Sequence, residues 1–153
     1  MATKETYTVS VKCKYLSGSD SFPSCDGVIT TAPSYDGVIT TAPRSLTVYK
    51  KTLKHGRSYL TTLRIPKGTR VRWTPCVGQK CRAEAAFVVS HEPIKPDAAA
   101  VVETHSQRNR SFTYKVGKKV TPECGFNQNR CETCASGIHF FLTKEEARKY
   151  NFN

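Results

Sequence analysis

No apolar run in this chain of 153 residues approaches the ~20 residues that a bilayer-crossing helix needs. The reading is therefore no membrane insertion. The opening residues, Met1-Ala2-Thr3-Lys4-Glu5, lack the apolar stretch of a secretion signal, and position 2 holds no glycine to take a myristoyl group. The expectation is a protein that is not secreted and stays in a reducing compartment. Acidic side chains are also scarce: 12 Asp and Glu stand against 24 Lys and Arg, a formal charge of +12. Such an excess suits a negatively charged partner: nucleic acid, the acidic face of another protein or an anionic membrane. Dense basic blocks are missing. Lys50-Lys51, Lys118-Lys119 and the Arg70/Arg72 pair are scattered, unlike an import signal or a polybasic lipid anchor.

What is present is mostly β patterning. Tyr7, Val9, Val11, Cys13 and Tyr15 alternate with polar residues, the period of a half-buried strand. A direct repeat of ten residues follows a Ser/Gly-rich linker. Ser24-Cys25-Asp26-Gly27-Val28-Ile29-Thr30-Thr31-Ala32-Pro33 recurs as Ser34-Tyr35-Asp36-Gly37-Val38-Ile39-Thr40-Thr41-Ala42-Pro43. Each unit reads as an Asp-Gly turn, a short β run and a proline stop. Residues 1–43 are accordingly read as an N-terminal strand and an extended arm. Tyr7, Val9, Val11, Val28, Ile29, Val38 and Ile39 are its candidate contacts with neighbouring subunits.

Residues 44–153 read as a compact, mainly β module. Leu46-Thr47-Val48-Tyr49, Tyr59 to Ile65, Thr69 to Trp73, Ala83 to Ser90, Phe112 to Val116 and Ile138 to Leu142 carry strand patterns. The polar segment from Glu92 to Arg110 reads mostly as loop. Thr143-Lys144-Glu145-Glu146 is a capping box, which predicts one short C-terminal helix. In that box the Thr143 hydroxyl takes the Glu146 amide, and the Glu146 side chain reaches back to the Thr143 amide. Alternation puts Arg70 and Arg72 on one strand face beside Trp73, where they are candidates for binding phosphate and stacking a base.

Seven cysteines in a reducing compartment point to thiols or metal ligands rather than a disulfide framework. Zn²⁺ takes four soft or borderline ligands in a tetrahedron. Cys76, Cys81, Cys131 and Cys134 are the candidate tetrad, with Cys124 or His139 able to replace one member. The alternative for Cys81 and Cys134 is a small buried hydrophobe. His139, followed by Phe140 and Phe141, reads first as a hydrogen-bonded interior residue. A Cys–His nucleophile pair is the enzyme reading. No glycine-rich elbow or acidic orienting residue accompanies it, so no catalytic residue is assigned.

Several motifs fall in a recognisable order: Tyr49-Lys50-Lys51, Ile65-Pro66, Lys80-Cys81-Arg82-Ala83 and Tyr114-Lys115-Val116-Gly117. They close with Gly137-Ile138-His139-Phe140-Phe141, Thr143 and Glu145-Glu146-Ala147. In these the segment from about Leu46 to Tyr150 resembles an uncharacterised domain family of large DNA viruses and phages, often found beside pentapeptide repeats. The resemblance implies no catalytic activity. It implies a virion structural protein, a minor capsid or cement component made in the host cytoplasm, whose partners are a major capsomer and neighbouring minor capsid proteins. The alternatives are a zinc-stabilised nucleic-acid-binding protein and a Cys/His enzyme.

Overall fold

The computed structural model describes residues 37–74, 80–129 and 135–150. The fold is mainly β, two antiparallel sheets with one short C-terminal helix, as the patterning predicts. The strands are β1 (Val38–Thr41), β2 (Leu46–Lys54), β3 (Arg57–Ile65), β4 (Arg70–Trp73), β5 (Cys81–Ala83), β6 (Ala86–Pro93), β7 (Glu103–His105), β8 (Thr113–Lys115), β9 (Lys119–Val120) and β10 (Ile138–Phe140). The helix α1 spans Lys144–Lys149.

The central hairpin is β2–β3. Lys54 pairs with Arg57 across a two-residue loop, His55-Gly56, in which both residues have positive φ (51° and 74°). That is the turn whose twist matches the twist of the flanking strands. One face of the hairpin, carrying Val48, Leu63 and Ile65, packs into the main core. The other face carries Leu60, which packs with Phe141 and Ala147 of the helical segment.

The six-stranded sheet has the order β8-β7-β2-β3-β6-β9, so β8 and β9 stand at opposite edges. In a flat sheet those edges would lie roughly 24 Å apart at ~4.8 Å per strand. Yet the four steps from Lys115 to Lys119 can span at most roughly 14 Å. The sheet must therefore curl until its edges meet. Hydrogen bonds mark the meeting line: the Val88 amide donates to the Lys118 carbonyl at 3.0 Å, and the Gly117 amide donates to the Val88 carbonyl at 2.8 Å.

The second sheet, ordered β1-β4-β5-β10, lies against this curl. Val71, Cys81, Ala83, Ile138 and Phe140 supply its inner face and join the same core as Val48, Leu63 and Val88. The Tyr49 and Phe141 backbones exchange hydrogen bonds of 2.9 and 2.7 Å and tie the two sheets together.

Three readings change. The run from Ala83 to Ser90 is two strands, broken at Glu84-Ala85, because β5 and β6 belong to different sheets. The segment 92–110 contains β7, a strand too short to show alternation. The second repeat unit is part of the module: Val38–Thr41 pairs along the whole of β4, so Val38 and Ile39 lie in the sheet rather than in a separate arm. The strand at Tyr7, Val9 and Val11, and the first repeat unit with Val28 and Ile29, lie outside the described residues.

Candidate functional site

Strand register builds one unbroken row across the four-stranded sheet. Ile39 stands opposite Arg72, Arg72 opposite Arg82, and Arg82 opposite His139. Because neighbours along a strand alternate faces, this row lies on the side away from the core residues Val71, Cys81, Ala83, Ile138 and Phe140. The row is nevertheless interior: Arg72 is 1% exposed and Arg82 0%. Two loop segments cover it. Arg82 Nη1 donates to the Asn127 carbonyl and, at 3.3 Å, to the Ser136 carbonyl, while Nη2 donates to the Asn129 carbonyl at 2.7 Å. The Phe126 ring lies 5.4 Å from the Arg82 guanidinium carbon and 5.7 Å from that of Arg70, within cation–π range. A buried guanidinium needs acceptors for its donors, and backbone carbonyls of loops are the acceptors at hand.

Arg70 and Arg72 do share a face, as alternation predicts, but they differ in exposure: Arg72 is buried, and Arg70 is partly exposed and paired. Arg70 grips Glu84 with Nε at 3.0 Å and Nη2 at 2.9 Å, and its backbone amide donates to the other carboxylate oxygen at 3.1 Å. Burial pushes the Glu84 carboxyl up, but the Arg70 hydrogen bonds and charge outweigh it and hold the carboxyl low. Arg72 is enclosed, with Gly37 set against its guanidinium. Trp73 packs against the core, edge-on to Phe140 at 6.4 Å, and its Nε1–H donates to Thr40 at 2.8 Å.

His139 contacts the Ala135 carbonyl through Nε2 at 2.8 Å. A carbonyl only accepts, so Nε2 carries the proton. Burial first, then the nearby charges of Lys50, Lys80 and Arg82, drive the imidazole pKa down to about 3. His139 is therefore neutral at physiological pH. Cys81 points the other way, into the apolar core, and burial raises its thiol pKa to about 11. Cys81 and His139 lie on opposite faces of one sheet. They form neither a nucleophile pair nor two ligands of one tetrahedral ion. Cys124 is exposed on the loop after β9. Cys76, Cys131 and Cys134 lie outside the described residues, and no cluster of three metal-ligating side chains occurs among the described ones.

A second polar group occupies the inside of the curled sheet. His91 Nε2–H donates to the Tyr114 carbonyl at 2.8 Å, which leaves Nδ1 to accept from the Thr61 hydroxyl at 2.8 Å. Thr61 in turn accepts from Thr52 at 2.7 Å. Burial lowers the His91 pKa. Strict alternation along β6 would put His91 outside, opposite to Val88. A bulge at Val89-Ser90, facing Thr62 and Leu63, turns it in.

The outer face of the same sheet carries a third row, also missed from the sequence. Arg64 pairs with Phe87, and Phe87 with Lys119. The Arg64 guanidinium carbon lies 4.7 Å from the Phe87 ring centroid. Arg64 and Lys119 are exposed. Their signal in the sequence is weak because the three residues sit on three strands.

The fold and the sites define a small mainly β domain with two buried arginines inside, Arg72 and the carbonyl-bonded Arg82, and a basic, aromatic row outside. The chain belongs to DUF5758, a family of unknown function, whose profile matches residues 36–147. That span begins before β1, in agreement with the place of the second repeat unit in the sheet. No curated protein and no solved structure matches the chain.

Proposed function

We propose that this protein is a virion structural component, a minor capsid or cement protein that binds acidic faces of neighbouring capsid subunits through its surface. The observation that carries this reading is how its polar chemistry is distributed. Arg72, Arg82, His139 and Cys81 are enclosed and held by structural contacts, while cationic charge is displayed outward beside Phe87. A row of Arg64, Phe87 and Lys119 suits a protein partner with carboxylates around an apolar patch. The edge strand β1, with Val38 53% exposed, adds a place where a neighbouring chain can pair. The resemblance of the closing Gly-Ile-His-Phe-Phe segment to domains of large DNA viruses supplies the setting.

The test is a reconstruction of purified virions. The chain is expected in symmetry-related copies at fixed stoichiometry. Finding it in infected-cell extract but not in particles would refute the reading.

A second reading, nucleic-acid binding, draws on the same outer row, because an arginine stacked on an aromatic ring can also meet phosphate and base. It predicts binding to single-stranded nucleic acid that weakens steeply with salt. The Arg64→Ala/Lys119→Ala double variant would lose that binding, whereas the capsid reading places the loss in particle attachment. Zinc remains part of this second reading. Elemental analysis of protein purified without metal supplements tests it, with one equivalent expected if Cys76, Cys131 and Cys134 bind an ion together with Cys81, or with Cys124 or His139 in its place.

A further inference from the structure

The flank of β4 accepts one short sequence, and the chain carries that sequence twice. Gly37 lies against the buried Arg72 guanidinium, where a side chain would collide with it. Val38, Ile39, Thr40 and Thr41 pair with Trp73, Arg72, Val71 and Arg70. Thr40 also accepts the Trp73 indole proton at 2.8 Å. Ala42 is 2% exposed in the core, donates to the Thr69 carbonyl at 2.8 Å and accepts from the Gly68 amide at 2.9 Å. Every residue that makes these contacts recurs in order as Gly27, Val28, Ile29, Thr30, Thr31 and Ala32.

We propose that this flank is a strand-binding site with two competing ligands in one chain, and that Gly27–Ala32 docks there in place of Gly37–Ala42 in a minor register shifted by ten residues. The bonds to β4 are the same in both registers. What differs is the connection to β2. Three residues, Pro43, Arg44 and Ser45, link the docked strand to Leu46 in the observed register, and thirteen residues, 33–45, link it in the shifted one. Closure probability falls as the 3/2 power of loop length, so the shifted register is about tenfold less populated. The shift releases Gly37–Ala42 from β4. The occupant belongs to the same chain because a short tether gives it a high effective concentration, which a second molecule does not match. This inference does not depend on the capsid reading.

Redundancy of the two strands is measurable in the full-length protein. Gly37→Ala, Gly27→Ala and the double variant are compared by urea denaturation and native mass spectrometry. Gly27→Ala is expected to leave stability unchanged. Gly37→Ala is expected to lose no more than about tenfold in the folding constant, because the first copy takes over. The double variant, with both strands blocked, is expected to lose about a further tenfold or more. Ala42→Lys, Ala32→Lys and their double variant repeat the comparison at the other end of the strand. A double variant worse than the sum of its singles, with no assembly larger than that of the parent protein, supports the proposal. Additive effects in both sets overturn it. Rescue that comes with a larger assembly also overturns it, since the ligand would then come from a second molecule.

Discussion

Gly137 shows how much of this molecule depends on the path of one side chain. A Cβ at that position would stand 2.9 Å from Cβ of Arg82 and 3.3 Å from its Cγ. Those are the root atoms of the arginine, and they cannot swing aside. The side chain they carry holds the carbonyls of Asn127, Asn129 and Ser136. Gly137→Ala is therefore expected to destabilise the fold by about 1–3 kcal/mol through overpacking. Urea denaturation measures the loss, and a change below 0.5 kcal/mol would contradict the packing argument. His139 and His91 make a second residue-scale prediction. Both have folded pKa values below the ordinary value, His139 at about 3. Below the unfolded histidine pKa, ~6.5, the unfolded chain binds protons that the folded chain refuses. Stability is thus full above that pH and declines as the pH falls, for His139 down to about 3, with a slope of up to about 1.4 kcal/mol per pH unit for each group. Denaturation midpoints at pH 7.5, 6 and 5 should fall in that order, and His139→Gln should flatten the trend.

At the scale of elements, α1 shows how a six-residue helix, too short to persist alone, is held in place. The Thr143 hydroxyl accepts the Glu146 amide at 3.2 Å, and its proton goes to the Glu146 carboxylate at 3.0 Å. At the other end Lys51, projecting from β2, donates to the carbonyls of Arg148 and Tyr150 at 3.3 and 3.1 Å. A cation there is favourable because the helix dipole is negative at its C-terminus. Thr143→Ala is expected to cost about 1 kcal/mol. The loss should appear as faster hydrogen exchange at Ala147 and Tyr150, with the β2–β3 amides unaffected. Thr143, Glu146 and the acidic first turn made this helix legible in the sequence, since capping chemistry is local. Lys51 was not legible as its partner, because that contact joins residues nearly a hundred positions apart. The same contrast holds in the sheets. Val48, Leu63 and Ile65 announced a buried face by alternation. His91 could not announce itself, because the bulge at Val89-Ser90 breaks the period that would have placed it. Alternation also put Arg70 and Arg72 on one face, but it carries no information about the loops at Phe126 to Asn129 that cover that face.

For the whole molecule, the decisive event is closure of the six-stranded sheet, and Gly117 sits at the seam. Its φ of +86° is a backbone state that side-chain-bearing residues rarely adopt, and its amide bonds Val88 across the join. Space is not the constraint, since nothing lies within 4 Å of where a Cβ would stand. Gly117→Ala therefore tests backbone strain alone, about 1–2 kcal/mol. Closure sets the interior at this end of the curl, because only when β8 meets β6 can His91 find the Tyr114 carbonyl and Thr61 find His91. Strain at Gly117 should thus spread selectively. The amide of Val88, which bonds to Lys118 at the seam, is expected to exchange several-fold faster in Gly117→Ala than in the parent protein. Amides of β4 and β5 in the other sheet should keep their protection relative to global stability. Uniform loss of protection across both sheets would mean that the seam opens only with global unfolding. The curled sheet and the four-stranded sheet would then be one cooperative unit rather than a closed sheet with a separable join.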